Sequence, residues 1–143
     1  MKPAIRTEYL LLLFGAACFF PFLGGVHLFD WDEINFAECA REMFESGDYL
    51  RVQIGFQPFY EKPPFFFWLQ ALSMQLWGVN EYAARFPNAV AGLLTLWFLM
   101  HAGRQVYGRR LGLWWALCWL GALLPHFYAK SGIIDPWFNL FIF

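Results

Sequence analysis

Long apolar runs flank a single extended polar stretch in this chain. The first run, 9–28, has about 20 residues, which is enough for a helix to cross a bilayer core of roughly 30 Å. Two more runs of this kind cover 88–105 and 111–128, and another begins at 136. We expect these segments to be membrane-spanning helices, and the stretch 29–87 to be the loop between the first two.

The loop contains an amphipathic segment of its own, 34–44, in which apolar and charged side chains separate onto two faces at helical spacing. It is too short and too charged to span a membrane, so we expect it to lie in the interface plane. Gly47 predicts the C-terminal cap of this helix, and either Asp30 or Asp32 predicts its N-terminal cap. Farther along, Asn80 predicts the start of the next long helix.

The apolar segment 63–79 decides the topology, because it could either cross the membrane or lie along its outer surface. Basic residues beside membrane spans concentrate on the cytoplasmic side, and Lys2 and Arg6 therefore place the N-terminus there. The three arginines of the segment 104–110 are also cytoplasmic only if 63–79 stays at the surface. We therefore expect an interfacial helix at 63–79.

Composition agrees with a membrane protein. Of the 143 residues, 59% are hydrophobic and only 15% are charged, whereas about a quarter of a soluble domain is charged. The net charge of −1 offers no basic face for nucleic acid. We predict an all-α, multi-span helical bundle with amphipathic interfacial helices in its first outer loop. The last run, 136–143, would cover only about 12 Å as a helix, so we expect an N-terminal fragment of a longer protein.

Ionisable residues gather in loops and at predicted helix starts, where they can serve chemistry at the membrane surface. Asp32, beside Glu33, could be a general base, a divalent-cation ligand or only a helix cap. Lys62 follows Glu61 and precedes two prolines at a helix start, which suits a phosphate group. A lysine there could equally be an interfacial anchor. Asp135, which precedes Pro136 at a predicted helix start, could be a third functional residue or only another cap.

Several short motifs follow one another along the chain. They are Asp32-Glu33, Ala37-Glu38-x-Ala40-Arg41-Glu42-Met43, Gly47-Asp48-Tyr49, Glu61-Lys62-Pro63-Pro64, Trp68, Gly78-x-x-Glu81, Ala84-Arg85-x-Pro87 and Lys130-x4-Asp135. This order resembles the N-terminal third of the GT-C membrane glycosyltransferases of the protein O-mannosyltransferase and aminoarabinose lipid A transferase type, which are similar to glycosyltransferase family 39.

The resemblance implies a multi-span enzyme of the bacterial inner membrane. Its donor would be a sugar linked to a polyprenyl phosphate, its acceptor a lipid, glycan or protein hydroxyl, and its active site would face the periplasm. Asp32 takes the place of the catalytic acid, Lys62 that of the residue contacting the donor phosphate, and Glu61 that of its neighbour at the sugar. A single displacement with Asp32 as base would invert the anomeric centre.

The remaining site residues follow from the same resemblance. Asp135 matches the second acid, and Glu33 and Lys130 are further candidates for substrate binding. Family members often carry an arginine and threonines before the second acid, so the role of Lys130 is open. Asp32 and Asp135 could also hold a divalent cation. The alternatives are protein O-mannosylation specifically, or, from other classes, a transporter or a non-catalytic scaffold subunit.

Overall fold

The computed structural model describes residues 3–142 of the chain, and the side chains of residues 7–142. This part is mostly helical, as predicted, with one short hairpin that the sequence did not indicate. The elements are α1 (Pro3–Phe19), α2 (Asp32–Ser46), β1 (Gln53–Ile54), β2 (Gln57–Pro58), α3 (Phe65–Trp77), α4 (Glu81–Tyr107), α5 (Arg109–Gly121), α6 (Leu123–Ala129) and α7 (Asp135–Ile142).

The long helix α4 is the centre of the structure, and α1, α3, α5, α6 and α7 all pack against it. Its start is the one predicted from the sequence, because the Asn80 side chain accepts the backbone N–H of Ala83 at 2.8 Å and thereby caps the first turn. Its 27 residues cover about 40 Å. The predicted span 88–105 lies within it.

The hairpin of α4 and α5 depends on two glycines. A Cβ atom on Gly103 would lie 2.6 Å from the Cα atom of Gly112, and a Cβ atom on Gly112 would lie 2.7 Å from the carbonyl oxygen of Met100. Residues without side chains let helices approach this closely, a common packing mode in membranes. The two helices are joined at Gly108, whose φ of 89° suits glycine.

Two of the predicted spans are not continuous helices. The segment 9–28 is helical only to Phe19, because Pro21 lacks a backbone N–H and disfavours helical geometry in the residue before it. The segment 111–128 is divided at Ala122 between α5 and α6, whose axes differ by 71°. Pro125 would break a continuous helix there, but it is tolerated in the first turn of α6.

Within residues 3–142, α4 alone has the length and apolar composition of a membrane span, and the bent pair of α5 and α6 would provide a second if it is counted as one. Large apolar side chains are exposed on several helices, including Leu13, Trp114 and Leu123. Exposed apolar surface of this kind fits contact with lipid or with further helices.

The loop before α4 folds onto the bundle. Helix α2 packs against α3 and against the hairpin of β1 and β2, in which Gln53 pairs with Pro58. Gly47 caps α2 as predicted, with a φ of 71° and its N–H bonded to the carbonyl of Met43. The predicted N-cap is wrong: Trp31 occupies that position without a side-chain hydrogen bond, and Asp32 is already the first helical residue.

Candidate active site

A buried ion pair lies where the loop meets the bundle. The carboxylate of Glu33 at the start of α2 faces the guanidinium of Arg85 in the second turn of α4. The Nε and Nη2 atoms of Arg85 donate to the two oxygens of Glu33 at 2.8 and 2.9 Å. Both side chains are 1% exposed, so this two-pronged pair lies in the interior, where charge-assisted hydrogen bonds are strong.

Arg85 also binds the backbone of the segment between α1 and α2. Its Nη1 atom donates to the carbonyls of Leu23 and Val26, and its Nη2 atom donates to the carbonyl of His27, at 2.7 to 2.9 Å. With the two bonds to Glu33, all five N–H groups of the guanidinium have acceptors. These bonds satisfy backbone carbonyls of a segment that is not helical and so makes no helical hydrogen bonds of its own.

Glu33 has two further donors. Its Oε2 atom accepts the backbone N–H of Phe29 at 2.6 Å, and its Oε1 atom accepts the N–H of Gly132, in the segment that leads into α7. Each oxygen therefore has two donors, which fills a carboxylate's four lone-pair positions. The sequence predicted substrate binding for Glu33, but a substrate group would have to displace one of these protein partners.

The segment 130–135 is held by a second buried side chain. The Nδ2 atom of Asn88 on α4 donates to the carbonyls of Ser131 and Ile133. Gly132 lies between them, and a Cβ atom there would come within 3.2 Å of the carbonyl oxygen of Ala84. Asp135 is exposed and is the first residue of α7. Asn88 and Glu33 together therefore hold the backbone just before this predicted acid.

Asp32 is exposed and immediately precedes Glu33. Trp31, on its other side, has a φ of 70° and a ψ of −113°, a conformation that a bulky side chain rarely adopts. This tryptophan is 82% exposed. Glu33 follows Asp32 and accepts the N–H of Gly132. The Glu33–Arg85 pair therefore holds the segment of Asp32 beside the loop that ends at Asp135.

Lys62 and Glu61 lie in the loop before α3, Lys62 half-buried and Glu61 exposed. The start of α3 meets α7: the ring of Phe65 lies 5.7 Å from that of Trp137 and 5.3 Å from that of Phe141. Lys62 and Asp135 therefore lie in segments that lead into the contact between α3 and α7.

Lys130 has a partner within the protein, because its Nζ atom donates to the carbonyl of Pro21 at 3.1 Å. The described residues contain no group of three or more His, Cys, Asp or Glu side chains placed to hold a metal ion. A divalent cation at Asp32 and Asp135 stays a prediction, as do the roles of Lys130 and the other candidates.

Sequence reasoning missed Arg85 and Asn88 as organisers of this region. Arg85 points inward to Glu33, 52 residues away in sequence. Glu81, one helical turn before Arg85, faces His27 at 3.4 Å. The available signal was Pro21 with Gly24-Gly25, which disfavour a helix there and leave backbone carbonyls in need of a donor.

Comparison with known proteins decides the family. Residues 61–136, more than half of the chain, match the family described as dolichyl-phosphate-mannose-protein mannosyltransferase. The chain belongs to this family. The resemblance found in the sequence motifs is thereby confirmed.

Relatives of this mannosyltransferase family member include bacterial sugar transferases. The undecaprenyl phosphate-α-4-amino-4-deoxy-L-arabinose arabinosyl transferase of Pectobacterium carotovorum subsp. carotovorum (strain PC1) is 28% identical in a match that covers 96% of this chain and 25% of the relative. The transferase of the same name from Edwardsiella ictaluri (strain 93-146) is 31% identical over 84% of this chain and 22% of its own length.

The fold agrees with a solved member of the same group. ArnT from Cupriavidus metallidurans, in its crystal structure bound to undecaprenyl phosphate, superposes with a TM-score of 0.88 and 30% identity. The match covers 94% of this chain and 25% of that one. The chain thus spans about a quarter of the length of the relatives it matches, and over that quarter it has the fold of the membrane GT-C transferases.

Proposed function

We propose that this chain is the N-terminal part of a membrane glycosyltransferase that transfers a sugar from a polyprenyl-phosphate donor to a lipid acceptor. The observation that carries the proposal is the superposition of 94% of the chain on a transferase crystallised with undecaprenyl phosphate. The names of the sequence relatives support the same donor class. A transporter or a scaffold subunit has no comparable support.

Asp32 is the proposed general base. It would take the proton from an acceptor O–H as that oxygen attacks the anomeric carbon, while the bond from this carbon to the donor phosphate breaks and the polyprenyl phosphate leaves. One displacement of this kind inverts the anomeric centre. Its exposed position at the first turn of α2 supports the assignment, because a base must be able to reach the acceptor.

Lys62 is the proposed contact of the donor phosphate, with Glu61 beside it at the sugar. A compact ammonium at a membrane surface can hold this phosphate while negative charge develops on it. Asp135 would be the second acid, alone or with a divalent cation shared with Asp32. Lys130, bonded to the carbonyl of Pro21, would act as an anchor for the loop before Asp135.

The membrane arrangement follows the charge pattern. We place the loop 29–87 and Asp135 at the outer face of a bacterial inner membrane and the N-terminus in the cytoplasm. The turn between α4 and α5 would then be cytoplasmic, with Arg109 bonded to Glu8 and Arg110 exposed. An impermeant thiol reagent added from outside should label Asp48→Cys and leave Arg110→Cys unlabelled. Labelling of Arg110→Cys would contradict this orientation.

A protein hydroxyl is the second candidate acceptor, because the family is described by protein mannosyltransfer. A lipid acceptor has more support, since both relatives and the solved structure carry arabinosyl transferase or ArnT names over most of this chain. Mass spectrometry of the products formed by the complete protein with lipid A or with a peptide acceptor separates the two.

The deciding experiment compares two neighbouring acids. The complete protein, in proteoliposomes with an undecaprenyl-phosphate-linked sugar and lipid A, should lose about 10²–10⁴-fold in turnover on Asp32→Asn. Asp30→Asn is the matched control, since Asp30 is also exposed and lies two residues away, and it should retain nearly full turnover. Wild-type turnover in Asp32→Asn would overturn the assignment of the base.

A further inference from the structure

We propose that Arg85 and Glu33 are positioning residues, which hold the segments carrying Asp32 and Asp135 in one fixed relation. The inference rests on the proposed function for the roles of those two acids. The contacts join the segment 20–31, held by Arg85, and the start of α2, held by Glu33, to the loop before α7. The first two follow each other in the chain, whereas Gly132 of the loop is 99 residues from Glu33.

The hydrogen-bond inventory excludes direct substrate contact for this pair. The five N–H groups of Arg85 and the four acceptor positions of Glu33 all have protein partners. Both side chains are 1% exposed. A pair that is filled and enclosed in this way can act on a substrate only through the groups it positions, which are the two exposed acids.

Backbone strain supports the same interpretation. Phe22 has a φ of 62° and Trp31 a φ of 70°, and side chains of this size adopt such values only when the surrounding structure imposes them. Between these two residues the backbone is fixed at four points, three carbonyls bonded to Arg85 and the N–H of Phe29 bonded to Glu33. The pair therefore imposes the conformation from which Asp32 emerges.

The kinetic test uses a substitution that preserves charge. Arg85→Lys retains a cation but loses the planar fork, so it cannot satisfy both carboxylate oxygens and three carbonyls together. In the complete protein we expect kcat to fall at least 10-fold, since small misplacements of reacting groups are costly. The KM for the donor should change less than 3-fold, because Lys62, the proposed donor contact, is not among the hydrogen-bond partners of Arg85 and Glu33. Arg41→Lys, at a partly exposed arginine on α2, is the matched control and should leave kcat unchanged.

A distance measurement keeps the test independent of activity. Spin labels on Asp30→Cys and Phe138→Cys, both at exposed positions, are introduced with the three native cysteines replaced. Double electron–electron resonance should give a narrow distribution in the parent and a broader or shifted one in Arg85→Lys, but not in Arg41→Lys. Glu33→Gln takes the place of Arg85→Lys if the latter does not accumulate as folded protein.

The outcomes separate this inference from the proposed function. An unchanged distance distribution in folded Arg85→Lys, or an unchanged kcat, overturns the positioning role. If the parent protein transfers no sugar but the distribution still broadens, the positioning of the two segments holds and the proposed function fails. A fall in kcat together with a broadened distribution supports both.

Discussion

Helix α2 carries two kinds of arginine–carboxylate contact that differ in almost every respect. At its start, Glu33 pairs with Arg85, 52 residues away, and both are 1% exposed. In its middle, Arg41 pairs with Glu38 and Glu45, three and four residues away, with side chains 29%, 39% and 48% exposed. The Glu33–Arg85 pair joins separate parts of the fold, whereas the contacts of Arg41 lie within one helix.

The energetic consequences differ accordingly. An exposed pair on a helix contributes about 0.3–0.5 kcal/mol, because water screens it and long side chains lose freedom to form it. A buried pair contributes little net stability relative to apolar packing, yet removing one partner leaves an uncompensated charge and costs about 3–5 kcal/mol. The buried contact is therefore the one whose geometry the fold depends on.

The largest expected effect is the loss of one buried partner. Arg85→Met leaves the Glu33 carboxylate without its cation and should lower the free energy of unfolding by about 3–5 kcal/mol. The double variant Glu33→Met with Arg85→Met removes both charges and should recover part of that loss. Thermal unfolding of the purified protein in detergent reports both. A single variant as stable as the parent would contradict the comparison.

Crowding the same contact without changing charge should have an intermediate effect. In Gly132→Ala, the new Cβ would lie 3.2 Å from the carbonyl oxygen of Ala84 and 3.3 Å from Cγ of Glu33. Overpacking at such a site costs about 1–3 kcal/mol. Gly121→Ala, where a Cβ meets nothing within 4 Å, is the control and should be neutral or slightly stabilising. Equal melting temperatures for the two variants would count against the tight contact at Gly132.

The smallest expected effect concerns the exposed contact and depends on pH. The hydrogen bond from Arg41 lowers the pKa of Glu38 below its usual value of 4.5. A lowered folded-state pKa adds stability above pH 4.5, which is lost as the pH falls through the folded-state pKa. Arg41→Ala should therefore destabilise by less than about 1 kcal/mol at pH 7, and parent and variant should converge in acid. A difference that persists after Glu38 is protonated would point to packing instead of charge.

The same contrast explains what could be predicted from the sequence. The caps at Asn80 and Gly47 were predicted because their signals lie within a few residues of the helix ends. The partner of Arg85 was not predicted, because it lies across the fold and no local spacing indicates it. Patterns of period 3.6 report which residues share a face, but not what that face meets.

The bent elements were missed for a related reason. Hydropathy alone treats 9–28 and 111–128 as uniform runs, although Pro21 and Pro125 end or interrupt helical hydrogen bonding there. The motifs of the candidate site fared better, since the family they indicated is confirmed. The roles of Asp32, Lys62 and Asp135 within that family stay predictions.

Binding of undecaprenyl phosphate to the complete protein tests most directly whether this part of the chain forms the donor site. We expect Lys62→Ala to weaken binding at least 10-fold and Lys62→Arg to recover part of it, since a planar fork replaces a compact ammonium. Arg51→Ala, at an exposed cation in the same loop, should bind as the parent does. Parent-like affinity in correctly inserted Lys62→Ala would contradict the account and leave Lys62 as an interfacial anchor.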